Sequence, residues 1–483
     1  MTIPGLLKEF AEKYKGCNAF GFIEAGEEKL ITADVFWAHV QAAANYYGDR
    51  FSGKQRIGIV GENSYPYLVQ MFGIICSGNV AVPLNHTYSG DGLCSFLEKV
   101  QVSAVLCDEE YMEDLAEMRE QLPLFSVGSV FAEMMACGAE AQEVHRQADD
   151  DVILMLLSSG TSGVSKIVQI TNDNLSAFPE SVLAEVAASG SGSLHAGKVQ
   201  PCNTLLILPF YHISGIIPLL EDMMRGNLTY ISSAKYLTRD IQNYHIHKLI
   251  LVPAMMKRIL KQCEKAESYR KACANITEAL CLGAPMDDDL INGMEALSIT
   301  PRTYYGMTET TGTVSGGGAY KRGACGKVAD FCEVRIEEGE ILVRGRNVTK
   351  GYLGDDAETA KVLRNGWLNT GDLGEVDAEG YLFIRGRKKN VIILSNGENV
   401  CPEELEELLY QCGAVEECRV YGEEDTITAQ IYYGAALDEA VEKGIREHVR
   451  SKNRTLPPSH KIKDVLFSYN PLEKNSMGKI IRK

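Results

Sequence analysis

No two of the fourteen cysteines stand as a CxxC pair, an absence that argues against zinc ribbons and thioredoxin-like redox motifs. They are spread thinly, as at Cys17, Cys76, Cys202, Cys263, Cys325 and Cys412, along 483 residues. Disulfide frameworks belong to short secreted chains, and this chain is long. Positive charge is also in short supply. Against 65 Asp and Glu there are 48 Lys and Arg, a net charge of -17. Such a chain repels phosphate backbones, which argues against a general nucleic-acid coat or an anionic-membrane binder. Long apolar runs are missing too. The greasiest stretch, Leu205 to Leu220, is interrupted by Pro209, His212, Gly215 and Pro218 and is too short and broken to span a bilayer. The opening residues, MTIPGLLKEFAEKY, lack the apolar region of a signal peptide and are expected as an amphipathic surface helix. The cytoplasm is the expected location. No segment repeats at a period of about 20 to 50 residues, which argues against solenoids and propellers.

What is present is the composition of a globular chain, 45% hydrophobic and 23% charged,. At roughly 150 residues per domain, two to four domains fit. The first half alternates apolar runs with helical patterns: RIGIV (56–60), a helix from Tyr65 to Ser77, VAVPL (80–84), a helix from Gly92 to Val100, then SAVLC (103–107). Strand–helix–strand alternation predicts parallel sheets covered by helices, an α/β fold. From Arg387 onward the elements are short and charged, and Glu403 to Tyr410 is expected as a helix with Pro402 in its first turn,. A boundary at Gly386 to Lys389 then divides a large N-terminal domain, 1–386, from a small α+β C-terminal domain, 387–483. The stretch Ala187 to Gly197 is expected as a flexible surface loop.

Four segments carry chemistry. In DVILMLLSSGTSGVSKIVQIT (151–171) an apolar strand enters a loop of glycines and hydroxyl residues, followed by Lys166 and a second strand. Gly160 and Gly163 let backbone N–H groups face an anion, and Ser158, Ser159, Thr161 and Ser162 add donors, a composition suited to a polyphosphate. It is not a Walker A loop, which needs Gly before its Lys where this chain has Ser165. A hairpin without function is the bland alternative. In RTYYGMTETTG (302–312), Tyr305 could stack on a base and Glu309 is a hard oxygen ligand of the kind that holds Mg²⁺ with substrate phosphates; alone, these would read as core and surface residues. Just upstream, LCLGAP (280–285) reads as a strand end opening into a pocket wall. In WLNTGDLG (367–374), Asp372 lies between glycines after a short strand, where a carboxylate can accept two ribose hydroxyls or merely make its own turn. Finally, residues 451–483 hold eight basic and two acidic residues, a basic tip on an acidic chain that suits an anionic ligand or is simply a frayed terminus.

Together these segments resemble the adenylate-forming superfamily, which comprises acyl-CoA synthetases, peptide-synthetase adenylation domains and firefly luciferase. SSGTSGVSK resembles the phosphate loop, YYGMTETTG the adenine and magnesium motif, EILVRG with Gly351–Tyr352 the structural motif, and NTGDLG the ribose motif. GRKKNVIILSNGENVCPEELE is similar to the hinge and pantetheine region, and NSMGKIIRK to the catalytic-lysine motif. The resemblance runs from about Ile31 to Lys483 with the motifs in family order. It implies that Ser159, Gly160, Thr161, Ser162, Gly163 and Lys166 embrace the β- and γ-phosphates of ATP. Thr308 and Glu309 would hold the α-phosphate and Mg²⁺, while Gly283, Ala284 and Tyr305 would line the adenine site. Asp372 and Arg387 would grip the ribose, Lys389 would be the hinge, and Lys479 would bridge the substrate carboxylate and the α-phosphate.

The implied reaction forces a carboxylate onto an anionic phosphate, a repulsion that Mg²⁺ and the Lys479 ammonium would offset as charge builds. A thiol then attacks the acyl-adenylate after the C-terminal domain swings about Lys389. Departures from the family pattern are Ser165 for the usual Pro, Ile167 for the usual Gly and Thr303 where Asn or Gln is common; the C-terminal domain is compact between Val420 and Leu437. None of these removes a charged catalytic group. In LPFYHISG, His212 falls at the family's gate beside the acyl pocket, or is simply a satisfied buried histidine. Ile213 replaces the Asp that amino-acid-activating relatives carry, and an apolar residue there would leave an ammonium unpaired. The expected substrate is therefore a carboxylic acid without an α-amino group. The expected acceptor is the thiol of CoA. Alternatives are the phosphopantetheine of an acyl carrier protein, and a nucleotide-binding relative without turnover.

Overall fold

The computed structural model describes the chain except residues 88–89, 116–121, 138–146, 159–165, 189–201, 395–397, 424–425, 435–437, 475–479 and 483. Ser159, Gly160, Thr161, Ser162, Gly163 and Lys479, with most of the expected 187–197 loop, therefore lie outside the described residues.

Two seven-stranded sheets form the body. One runs in the order Gly351–Tyr352, Lys166–Thr171, Val152–Ser158, Val80–Leu84, Arg56–Val60, Ala104–Cys107 and Leu124–Ser126. The pairs from Val152–Ser158 through Leu124–Ser126 are parallel, and Lys166–Thr171 runs antiparallel to both of its neighbours. The other runs Thr300–Thr303, Glu278–Cys281, Lys248–Leu251, Asn203–Leu206, Leu228–Ile231, Asn18–Glu24 and Glu27–Thr32, parallel except for the last hairpin. The apolar run VAVPL is buried at all five positions, as a parallel strand covered on both faces must be.

The helix Tyr65–Cys76 lies between these layers and is buried at every position except Pro66. Ser64 caps it by accepting the Tyr67 N–H at 3.2 Å, and Pro66 occupies the first turn, where its missing N–H costs nothing. A Cβ at Gly73 would lie 2.2 Å from Ala43 Cβ; only glycine lets this helix approach Ala33–Arg50 so closely. The N-terminal helix Ile3–Lys13 buries Ile3, Leu6, Leu7 and Phe10 and turns Lys8 and Glu12 outward.

A third, antiparallel sheet joins Cys332–Glu337, Glu340–Gly345, Trp367–Val376, Leu363–Arg364 and Leu382–Arg387. Beyond it, Glu417–Glu423, Thr426–Tyr432 and Ile462–Ser468 make a mixed three-stranded sheet. Its apolar cluster, which includes Val400, Leu405, Ile431 and Ile445, draws only on residues after Arg387. The helix expected at Glu403–Tyr410 spans Pro402–Tyr410. The large α/β body with a smaller α+β unit after it bears out the expected fold class. The described cysteines are all free thiols, and no described helix is long and apolar enough to cross a membrane.

Candidate active site

In the second sheet the parallel strands end along one edge, and the segments that leave this edge carry the expected site. His212 follows Asn203–Leu206, Gly283 and Ala284 follow Glu278–Cys281, and Tyr305 to Glu309 follow Thr300–Thr303. In open α/β sheets the carboxyl ends of the strands are where ligands bind. Gly283 is exposed, with a φ of +83° and open space where a Cβ would point, so the backbone there is accessible to a flat ligand.

The 304–312 segment is a tight loop built for exposure of a few groups. A Cβ at Gly306 would fall 2.3 Å from the Gly312 carbonyl oxygen. Glu309 sits in a single 3₁₀ turn, Thr308–Thr310, and is 5% exposed. Its Oε1 accepts the Tyr352 hydroxyl at 3.0 Å, and its carbonyl accepts the Thr349 N–H at 2.9 Å. Asn347 holds the following residues, donating to the Thr313 carbonyl at 2.7 Å and accepting from Thr311 Oγ1 at 2.8 Å through its own carbonyl. A carboxylate has lone pairs beyond the one bound to Tyr352, so Glu309 fits a magnesium ligand. Among the described residues no group of three or more His, Cys, Asp or Glu could hold a metal unaided. Mg²⁺ is ordinarily held by one or two carboxylates together with substrate phosphates.

Asp372 differs from the expected turn after a short strand. It lies within the ten-residue strand Trp367–Val376, whose alternating burial places Thr370 and Asp372 on the covered face. The register slips between Leu373 and Gly374, a bulge of the kind found beside active sites. Arg387 is its cross-strand partner, with Nε 2.6 Å from Oδ1. The Tyr305 hydroxyl donates to Oδ2 at 2.8 Å. Burial, reinforced by the Asp372 carboxylate, pushes the Tyr305 phenol well above its ordinary value; it stays protonated and remains a donor. Three expected nucleotide residues thus form one cluster, with Tyr305 nearly buried at 9% exposure.

Lys166 begins the strand Lys166–Thr171. Its ammonium pairs with Glu358 at 2.5 Å and lies 4.7 Å from the centre of the Tyr352 ring. Bonds from Lys166 and Lys361 hold the Glu358 carboxyl down at about 2. The Tyr352 ring therefore links the expected phosphate lysine to the expected magnesium ligand. Burial, with the Glu309 charge beside it, raises the Tyr352 hydroxyl.

His212 is the N-cap residue of the helix Ile213–Arg225, half-buried, with its ring 4.7 Å from that of Tyr211. Ile213 is 7% exposed. A Cβ at Gly312 would meet Ile213 and Ile217, so the loop and this helix share an apolar seam. One turn further, Glu221 accepts the Tyr304 hydroxyl at 3.3 Å. Lys389 lies in the turn Lys388–Asn390. Burial and the nearby Arg387 and Arg482 guanidinium groups hold its ammonium below the ordinary lysine value.

Several supporting residues escaped the sequence reading. Glu340 accepts the Gly371 N–H at 3.0 Å and pairs with Lys388 at 2.7 Å, fixing the ribose strand against the hinge turn. Glu358 and Asn347 are the others. Glu340 opens the motif EILVRG, and the other two lie near it or near Gly351–Tyr352, but no local pattern announced the contacts.

The model of the AMP-binding enzyme family matches residues 7–353, and the chain belongs to that family. A 2-succinylbenzoate–CoA ligase of Bacillus cereus (strain Q1) is 28% identical over 427 residues, covering 85% of this chain and 84% of the relative. The enzyme of the same name from Bacillus anthracis (strain A0248) is 27% identical over 451 residues, covering 89% and 87%. Among solved structures, the o-succinylbenzoate CoA synthetase of Bacillus subtilis bound to its acyl-adenylate intermediate superposes with a TM-score of 0.79 at 24% identity, covering 100% and 98%. ATP-bound MatB of Rhodopseudomonas palustris gives 0.83 at 23%, covering 100% and 97%; at such identities these two structures establish the fold. The expected family is borne out by the match to the AMP-binding enzyme model, and the curated relatives it resembles are named as acid–CoA ligases.

Proposed function

We propose that this chain joins an aryl carboxylic acid of the 2-succinylbenzoate kind to coenzyme A, through an acyl-adenylate. The observation that carries the reading is the cluster of Tyr305, Asp372 and Arg387, its Tyr305 four residues along the chain from Glu309 with its bond to Tyr352, with an apolar wall at Ile213 and Ile217. Asp372 is oriented from two sides, so its carboxylate is positioned for ribose hydroxyls before ATP arrives. Glu309, fixed by Tyr352, would hold magnesium, which supplies Lewis-acid polarisation of the phosphate oxygens. Lys166 would exchange its pairing with Glu358 for the terminal phosphates. Lys479 brings a cation to the point where the two anionic reactants meet. Residues 387–483 are the unit that swings about Lys389 between the two half-reactions.

The acyl pocket begins at His212 and Ile213. An apolar Ile213 gives no partner to an α-ammonium group. The curated relatives named above support the aryl dicarboxylate and support coenzyme A over a carrier protein as acceptor. The cytoplasm, where ATP and coenzyme A are available, is the proposed location. The test is pyrophosphate release over a panel of acids, with 2-succinylbenzoate, malonate, anthranilate, a fatty acid and α-amino acids, each with and without coenzyme A. The expected result is fastest release with 2-succinylbenzoate and a CoA thioester with AMP as products. An α-amino acid giving the fastest release, or no adenylate from any acid, overturns the reading.

A further inference from the structure

The last residues of the chain are fastened to the C-terminal sheet on both sides of the catalytic-lysine motif. On the near side, Glu417 accepts the Leu472 N–H at 2.7 Å through one oxygen and pairs with Lys474 at 2.5 Å through the other. On the far side, Arg419 donates to the Ile481 carbonyl at 3.1 Å, and Arg482 donates to the Val420 carbonyl at 3.4 Å. Glu417, Arg419 and Val420 all belong to the edge strand Glu417–Glu423. The two sides are also tied to each other. Lys474 and Ile480 form an antiparallel bridge, and the Ile481 N–H reaches the Glu473 carbonyl at 2.8 Å. Lys479 is the chain neighbour of Ile480.

Arg482 reaches further. Its guanidinium pairs with the buried Glu406 and lies 3.7 Å from Glu403 on the helix Pro402–Tyr410. Glu403 in turn accepts Asn390 Nδ2 at 2.5 Å, and Asn390 closes the turn that holds Lys389. The carboxylate is thus shared between the hinge turn and the chain's last arginine. Charge-assisted, multiply bonded contacts of this kind fix geometry as well as contribute energy.

We propose, resting on the function given above, that Glu417 and Arg482 are positioning residues for Lys479: they hold the two ends of its segment on one strand, and Glu403 links that seat to the hinge. A cation whose job is to meet two anions needs placement within a fraction of an ångström, and a misplacement of about 1 Å can cost about 100-fold in rate. Thioester formation follows the domain swing and does not use Lys479, so it should not depend on the seat.

The experiment uses the full chain with Glu417→Ala, Arg482→Ala and Arg482→Lys. Adenylate formation is followed by ATP–pyrophosphate exchange, and thioester formation by supplying synthetic acyl-adenylate with coenzyme A. Both alanine variants should lower the exchange kcat by about 10- to 100-fold, with the KM for ATP little changed. Thioester formation should stay within about twofold in Glu417→Ala, which has no contact with the hinge turn, and Arg482→Lys should recover part of the loss because the charge remains. Adding Arg482→Ala to Lys479→Ala should slow exchange no further, since the seat has nothing left to place. Equal loss in both half-reactions, an additive double variant, or unchanged exchange overturns the proposal. A second measurement is independent of turnover: amide exchange at Leu472 and Ile481 should speed up in the alanine variants, and unchanged protection also overturns it. If the unaltered chain forms no adenylate, the proposed function fails while the amide measurement still judges the seat.

Discussion

A carboxylic acid placed among other acids responds to pH in the opposite sense to one held by a cation. Asp108 leaves the strand Ala104–Cys107, accepts the Glu62 N–H at 3.0 Å, and would collide with any side chain at Gly61. Burial first, then the charges of Glu110, Glu62 and Glu109, push its carboxyl up to about 6 against that one opposing bond. The folded protein therefore keeps a proton that the unfolded chain gives up near pH 4. This contribution is fully present below about pH 4 and is lost as pH rises through about 6. Asp108→Asn keeps an acceptor and removes the charge. Urea unfolding at about pH 4.5 and pH 7 should show the variant losing about 1 kcal/mol less over that range, a figure reduced for partial exposure. Equal losses would show that another group sets the slope. With Asp372 proposed to accept the ribose hydroxyls, Asp372→Asn should raise the KM for ATP by about tenfold or more, because a hydrogen bond to a charged group is worth about 1.5–3 kcal/mol. The KM for coenzyme A should not move; an unchanged ATP KM would separate Asp372 from the ribose. The motif NTGDLG pointed to this residue, but its partner Tyr305 lies 67 positions away and the pair Lys166–Glu358 is separated by 192. Residue identity was legible in the sequence; pairings across such distances were not, because they depend on how sheets lie against one another.

At the scale of elements, apolar periodicity carried most of the information. RIGIV, VAVPL and SAVLC are strands, and the helices between them fall within a residue or two of the expected bounds, because buried parallel strands read as unbroken apolar runs. Trp367–Val376 was legible only in part. Two glycines and a threonine interrupt its pattern, and its alternation appears only when pairing with Glu340–Gly345 and Leu382–Arg387 supplies the covered face. The close approach of the helices Ala33–Arg50 and Tyr65–Cys76 was equally hidden, since a single glycine permits it. Gly73→Val should lower stability by about 1–3 kcal/mol through overpacking against Ala43, with the nucleotide KM unaffected. Thermal unfolding checks this, and an unchanged midpoint would mean the two helices can separate without cost.

The whole molecule must perform two reactions whose demands conflict. In the proposed mechanism adenylate formation uses Lys479 at the reacting anions, whereas thiol attack needs that place cleared. A chain that solves this by rotating residues 387–483 must have one short segment able to change its backbone angles, and the turn Lys388–Asn390 stands between two independently packed cores. Lys389 itself is exposed, and desolvation with the Arg387 and Arg482 charges holds its ammonium below the ordinary lysine value. Proline fixes φ near −65° and restricts the residue before it. Lys389→Pro should therefore block one arrangement while tolerating the other. Exchange of pyrophosphate into ATP should persist in the proline variant, and thioester formation from supplied adenylate should fall by about 100-fold or more. Lys479→Ala should show the reverse pattern, with adenylate formation lost by a similar factor and the thioester step retained. The two variants together distinguish a moving domain from a fixed one: in a rigid molecule with one shared site, each substitution would slow both steps in the same proportion.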